Sequence, residues 1–197
     1  MKRKAIRRRR FFALGTVAVL IGVFVGALVA SGAFDHALQE LTLPLRHEDV
    51  IRQQADEKGV DAALIAAVIY SESKFSDQTS SAGARGLMQI TPEAADTIAK
   101  NSDATTFELK DLGDPEINIR YGTFLLRELL DRYEGDEAAA LAGYNAGPGN
   151  ADKWGGASLT VEEIPFPETR AYVEEVLEKR DEYRHEYASE LGYGGIP

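Results

Sequence analysis

The chain has 197 residues, enough for one domain with a proper core plus short appendages and too few for two ordinary domains. It contains no cysteine, which excludes structural disulfides, thiolate nucleophiles and cysteine-based zinc sites. The formal net charge of -10 conceals an asymmetry: seven of the 22 basic residues lie in the first ten positions, leaving 15 against 32 acidic ones, a net of -17, and so acidic a remainder argues against a nucleic-acid partner.

The basic cluster (Lys2, Arg3, Lys4, Arg7, Arg8, Arg9, Arg10) is followed by a run from Phe11 to Phe34 without a charged residue. As a helix this run would cross ~30 Å of hydrocarbon. The expectation is a cytoplasmic basic segment 1–10, a transmembrane anchor 11–34, and everything from Asp35 onward outside a bacterial cell membrane. Ser31-Gly32-Ala33 offers small residues of the signal-peptidase kind, but the apolar run exceeds the roughly 7 to 15 residues of a signal-peptide core, which favours a retained single-pass anchor. Residues 35–47 contain Pro44 and no sustained period, and read as a tether.

A helical domain, 48–197, follows. Its first helix begins at Glu48-Asp49, acidic residues suited to a first turn, and stops at Gly59 after Lys58. Asp61 can cap a second helix from Ala62 to about Ser73, apolar enough to be a buried core helix. Pro92 opens a third, to Lys100. Asp114-Pro115 opens a long amphipathic helix to about Tyr133 with Ile117, Tyr121, Leu125 and Leu129 on one side. Glu137 to Tyr144 is alanine-rich and ends at Gly147-Pro148-Gly149. Glu168 to about Leu191 closes the domain, with Tyr172, Val176, Lys179 and Tyr183 recurring along one face. No stretch alternates convincingly with period two, so the fold class is mainly α. His36, His47 and His185 are scattered without metal-ligand spacing, and Gly147-Pro148-Gly149 lacks the Gly-Lys-Ser/Thr that would cradle phosphate; neither a metal nor a cofactor is expected.

One acidic residue is out of place. Ile65, Val68 and Glu72 follow i, i+3, i+7 spacing, so Glu72 interrupts an apolar stripe near the negative end of its helix, with no basic residue one turn before it. Desolvation and the helix dipole both raise the pKa of such a carboxyl, and a carboxyl protonated near neutral pH can donate to a glycosidic oxygen. The competing reading is a buried ion pair with an arginine such as Arg85 or Arg170.

Glu72-Ser73-Lys74-Phe75 is followed by Ser80-Ser81-Ala82-Gly83-Ala84-Arg85-Gly86-Leu87-Met88-Gln89-Ile90-Thr91-Pro92. Then come Asp114-Pro115 with Asn118-Ile119 and Gly122, Ala142 to Gly149 around Tyr144-Asn145, and Ile164-Pro165-Phe166 with Glu168 to Val173. These four ordered motifs, across most of residues 55 to 180, closely resemble the soluble-lytic-transglycosylase (SLT) catalytic domain. The resemblance implies a lysozyme-like, goose-type helical fold with a long cleft for peptidoglycan strands. It implies Glu72 as the catalytic acid/base, Ser80 as the serine contacting that carboxyl, and Met88 and Gln89 lining the sugar sites. Tyr144 and Asn145 would stand across the cleft, with Tyr172 facing the same region. The stretch from Phe75 to Gly83 is one residue shorter than the usual pattern, so Ser81 could take the place of Ser80. Gly143 stands where alanine is commoner, and Glu93-Ala94-Ala95 lacks the usual threonine.

A hydrolytic glycosidase usually needs two carboxylates, and the motifs present one. The resemblance therefore implies a lytic transglycosylase, which cleaves the bond between N-acetylmuramic acid and N-acetylglucosamine and leaves 1,6-anhydro ends. A muramidase using Asp77 or Glu108 as second carboxylate, and a membrane-tethered glycan-binding factor without turnover, are the alternatives.

Overall fold

The computed structural model describes residues 21, 22, 25, 26, 29, 32–101 and 109–194. The chain divides into two units, Met1–Pro44 and Leu45–Pro197. The expected membrane span falls largely outside the described residues, among which no helix is long and apolar enough to cross a membrane. The expected tether is corrected in part: Ala33–Thr42 forms a helix, α1. Ala37, Leu38, Gln39, Glu40 and Leu41 are good helix formers, and the helix ends just before Pro44, as a proline two residues on requires.

The second unit contains seven further α-helices among the described residues. α2 spans Glu48–Lys58 and stops at Gly59 in the left-handed conformation. α3 spans Ala62–Ser73; the Asp61 carboxylate accepts from the Ala63 amide at 3.1 Å, and every residue from Ala62 to Ile69 is buried. α4 is Pro92–Asn101. α5, Pro115–Arg132, is capped by Asp114, which accepts from the Glu116 and Ile117 amides at 2.9 and 3.1 Å. α6 is Glu137–Ala146, capped by Asp136, and α7 is Pro148–Trp154. α8, Pro167–Glu186, ends a turn sooner than expected. Short 3-10 turns lie at Leu109–Gly113, Gly156–Ser158 and Val161–Glu163.

α3 is the central element. It packs along α8 and against α2, while α6 bridges α5, α7 and α8. Its near-continuous apolar composition is what lets neighbours cover it on all sides. On α5 the buried side carries Ile119, Leu126, Leu129 and Leu130, whereas Ile117 and Leu125 are only half-buried, so the expected stripe is rotated. Glycine 147 does end α6, but Pro148 at once starts α7, its fixed φ suiting a first helical position. Between α3 and α4 the chain forms a compact loop without strands, closed by isolated bridges Thr79–Arg85 and Arg85–Ile90.

Candidate active site

Glu72 sits in the last turn of α3, one residue before the helix ends. The end is abrupt: Lys74 and Phe75 both take positive φ, 51° and 59°, a conformation that non-glycine residues adopt at a cost. The buried Phe75 ring, tilted against Tyr183 at 6.1 Å between centroids, holds the reversal in place. The turn leaves one side of Glu72 open while the helix keeps the rest covered.

Burial raises the Glu72 pKa from 4.5 to about 7, and the nearby Tyr172 hydroxyl holds it partly down. No cation is among the groups that act on it. Arg170 donates instead to the Ile164 carbonyl, at 2.6 and 3.1 Å, so the ion-pair reading fails for that residue, and Arg85 does not act on the carboxyl either. No second carboxylate acts on it: Asp77 is exposed, and Glu108 lies outside the described residues.

Two tyrosines from two other helices converge on this carboxyl. Tyr144, on α6, donates to the Met88 carbonyl at 2.9 Å, and its pKa is raised well above its ordinary value by burial and then by the Glu72 charge. Tyr172, on α8, is raised likewise by burial, then by Glu72 and by Tyr144. Its buried hydroxyl lies close to Glu72 without being aligned as a hydrogen bond. Asn145, next to Tyr144, is exposed, and its side-chain carbonyl accepts from the Thr169 hydroxyl at 2.8 Å, leaving its amide N–H groups toward solvent.

The remaining sequence-predicted residues belong to the loop between α3 and α4, and their side chains largely build it. Gln89 donates to the carbonyls of Gln78 and Gly86, at 3.1 and 2.8 Å, from a backbone with φ of 46°. Met88 is 0% exposed, its side chain packed on α5 at Gly122, so its side chain does not line an open cleft; it reaches the site through its carbonyl. The expected contact of Ser80 with Glu72 is not made. The Ser80 hydroxyl oxygen accepts from the Ala84 amide at 3.1 Å and closes a tight turn, while Ser81 is exposed.

Asn118 stands in the motifs matched above but was given no role there. Fully buried on α5, it accepts from the Met88 amide at 2.8 Å and donates to the Arg85 and Leu112 carbonyls, both at 2.9 Å. It thereby ties the loop to α5 and fixes the carbonyl that Tyr144 holds. Two glycines make room: a Cβ at Gly86 would overlap the Asn118 amide, and one at Gly122 would overlap the Met88 sulfur. The signal available was an amide beside Ile119 on the buried side of an amphipathic helix, inside a motif already matched, with Gly86 before it and Gly122 after it.

The family model described as the transglycosylase SLT domain matches residues 49–166. The chain is 34% identical to the soluble lytic murein transglycosylase of Salmonella typhimurium, over 82% of this chain and 26% of that protein. It is 31% identical to the membrane-bound lytic murein transglycosylase F of Alcanivorax borkumensis, over 93% of this chain and 38% of that protein. Among solved structures, the 70 kDa soluble lytic transglycosylase from Escherichia coli matches with a TM-score of 0.72 at 32% identity, covering 85% of this chain and 28% of that one. An inactive glutamate-to-glutamine mutant of lytic transglycosylase Slt from Pseudomonas aeruginosa matches with a TM-score of 0.71 at 30% identity, covering 77% and 26%. The chain thus spans about a quarter of the length of these soluble relatives. With its helical fold, its family model and its relatives in agreement, the chain belongs to the SLT-domain lytic transglycosylases of the lysozyme-like superfamily.

Proposed function

We propose that this chain is a peptidoglycan lytic transglycosylase whose single acid/base is Glu72. The observation that carries the reading is a carboxyl at the end of a buried helix, raised to about 7 by burial, without a cation and without a second carboxylate acting on it. Near neutral pH such a group is poised both to give a proton and to take one. In the first step neutral Glu72 protonates the oxygen between N-acetylmuramic acid and N-acetylglucosamine, and the bond from that oxygen to the muramic anomeric carbon breaks. In the second, the C6 hydroxyl of the same muramic acid bonds to that carbon and gives its proton to the Glu72 carboxylate. The product is a 1,6-anhydro ring, and the enzyme regains its starting form without consuming water. Carrying nucleophile and electrophile in one sugar lowers the entropy cost of the second step.

Tyr172 tempers the carboxyl and Tyr144 shields it, while the outward amide of Asn145, together with Gln89 and Ser80 in the loop, forms the wall along which the strand lies; Met88 supports that wall from behind, through the carbonyl that holds Tyr144. The N-terminal run tethers the domain to the outer side of a bacterial membrane; the exposed, helical Ile21, Val25 and Val29 within it support that reading. Purified cell walls incubated with the chain should lose turbidity, and Glu72→Gln should abolish the loss. Full clearing by that variant would refute the assignment.

A further inference from the structure

Phe166 occupies the N-cap position of α8, where a Ser, Thr, Asp or Asn would satisfy the first free amides of the helix. It makes no capping bond, and it is 49% exposed although it is among the largest apolar residue types. Pro165 and Pro167 on either side fix its backbone. A twenty-residue helix that starts without a side-chain cap and leaves half of an aromatic ring in water departs from the local rule, and only the covered half of that ring repays it in packing.

Its neighbour is Trp154, the last residue of α7 and the sole tryptophan of the sequence. The two rings meet edge-on, centroids 4.8 Å apart and planes at 70°. An edge-on contact covers one face of one ring with the edge of the other, and the exposed half of Phe166 and the half-buried Trp154 leave the remaining ring surface to solvent. Among the described residues, no acceptor takes the Trp154 indole N–H. The pair therefore offers an apolar face beside a polar donor, the combination that suits a pyranose, whose C–H face is apolar and whose rim is hydroxylated.

Position ties the pair to the catalytic carboxyl. Along α8, Tyr172 stands at Glu72, Thr169 bonds to Asn145, and Phe166 meets Trp154. These stations are three residues apart, so each lies about 4.5 Å further along the helix axis than the last. α7, which ends in Trp154, follows directly on Asn145 through Gly147. The flanking segments carry Glu162, Glu163 and Glu168 against Lys153, all exposed, a negative balance that disfavours an anionic occupant and leaves a neutral sugar.

We infer that Trp154 and Phe166 form a stacking site for a neutral, N-acetylglucosamine-type ring of the glycan strand, beyond the Asn145 position. This rests on the proposed glycan substrate. The site would hold long strands in register and contribute nothing to a disaccharide bound at Glu72.

The test uses the full chain carrying Glu72→Gln, so that nothing turns over, titrated with chitohexaose and with chitobiose. Trp154 emission should change saturably with the hexamer, with a midpoint equal to the calorimetric Kd. Phe166→Ala in that background should weaken hexamer binding about fivefold, leaving chitobiose binding as it was. Phe166→Ser, which restores a cap, should melt no lower than its parent yet bind the hexamer as weakly as the alanine variant. Calorimetric binding of the hexamer with flat Trp154 emission and undiminished affinity in both variants would overturn the stacking site while sparing the substrate assignment. Failure of the hexamer to bind at all would overturn the stacking site, and only failure of the wild-type chain to clear cell walls would overturn the substrate assignment. Equal quenching by a free acidic peptide would assign the pair to another ligand.

Discussion

Glu72 holds its proton to about pH 7 because the interior of α3 withholds water from one side of it, and Tyr172 offsets only part of that cost. The first proton transfer needs the neutral form, so cell-wall clearing should fall as pH rises through about 7. Glu72→Gln should lower the rate by roughly 10²- to 10⁴-fold. The same shift has a thermodynamic side. Between 4.5 and about 7 the folded chain keeps a proton that the unfolded chain has lost, so this group's contribution to stability declines as pH rises through that window and is flat above it. Thermal melts should therefore find Glu72→Gln more stable than its parent near pH 8, by on the order of 1–3 kcal/mol, and equal to it near pH 4. A less stable variant near pH 8 would mean an ionised, paired carboxylate. The sequence exposed Glu72 because an acid in an apolar stripe is visible in the pattern alone. Tyr172 was brought to the same region by the resemblance alone, since its contact depends on where separate segments meet, and the engagement of Ser80 in a local turn was not foreseen.

At the scale of elements, the helices of the domain were legible wherever a cap and a period coincided: Asp61 before α3, Asp114-Pro115 before α5, Gly59 after α2. α7 was not, because Gly147-Pro148 reads as a stop and the same proline is also a start. α1 was missed because Pro44 drew the reading toward a tether, although Phe34, Ala37, Leu38 and Leu41 follow helical spacing. The loop between α3 and α4 has no period at all, and its shape comes from long-range bonds to Asn118. Removing that amide strips the Met88 N–H and the Leu112 carbonyl of their side-chain partner, while the Arg85 carbonyl keeps the Ile90 amide, and urea unfolding of Asn118→Ala should show a loss of about 2–4 kcal/mol. Turnover should fall as well, because the Met88 carbonyl that holds Tyr144 is set free. Gly122→Ala drives a methyl group into Met88 and should cost about 1–3 kcal/mol in the same assay. Wild-type unfolding midpoints for both variants would remove α5 from the support of the site.

On the scale of the whole molecule, charge and hydropathy divide the chain before any fold is considered: a basic start, an uncharged run, then an acidic domain. The proposed anchor rests on that composition alone, since membrane insertion reads hydropathy and flanking charge and needs no tertiary contact. Fractionation of cells should place the full chain with membranes and a chain lacking residues 1–34 in the soluble fraction; a soluble full chain would end the anchor proposal. The proposed reaction runs through one carboxyl and without water. Mass spectrometry of the fragments released from purified peptidoglycan tests this most directly. The account predicts muropeptides ending in 1,6-anhydro-N-acetylmuramic acid, one water lighter than hydrolytic products, and fragments with reducing muramic ends would contradict it.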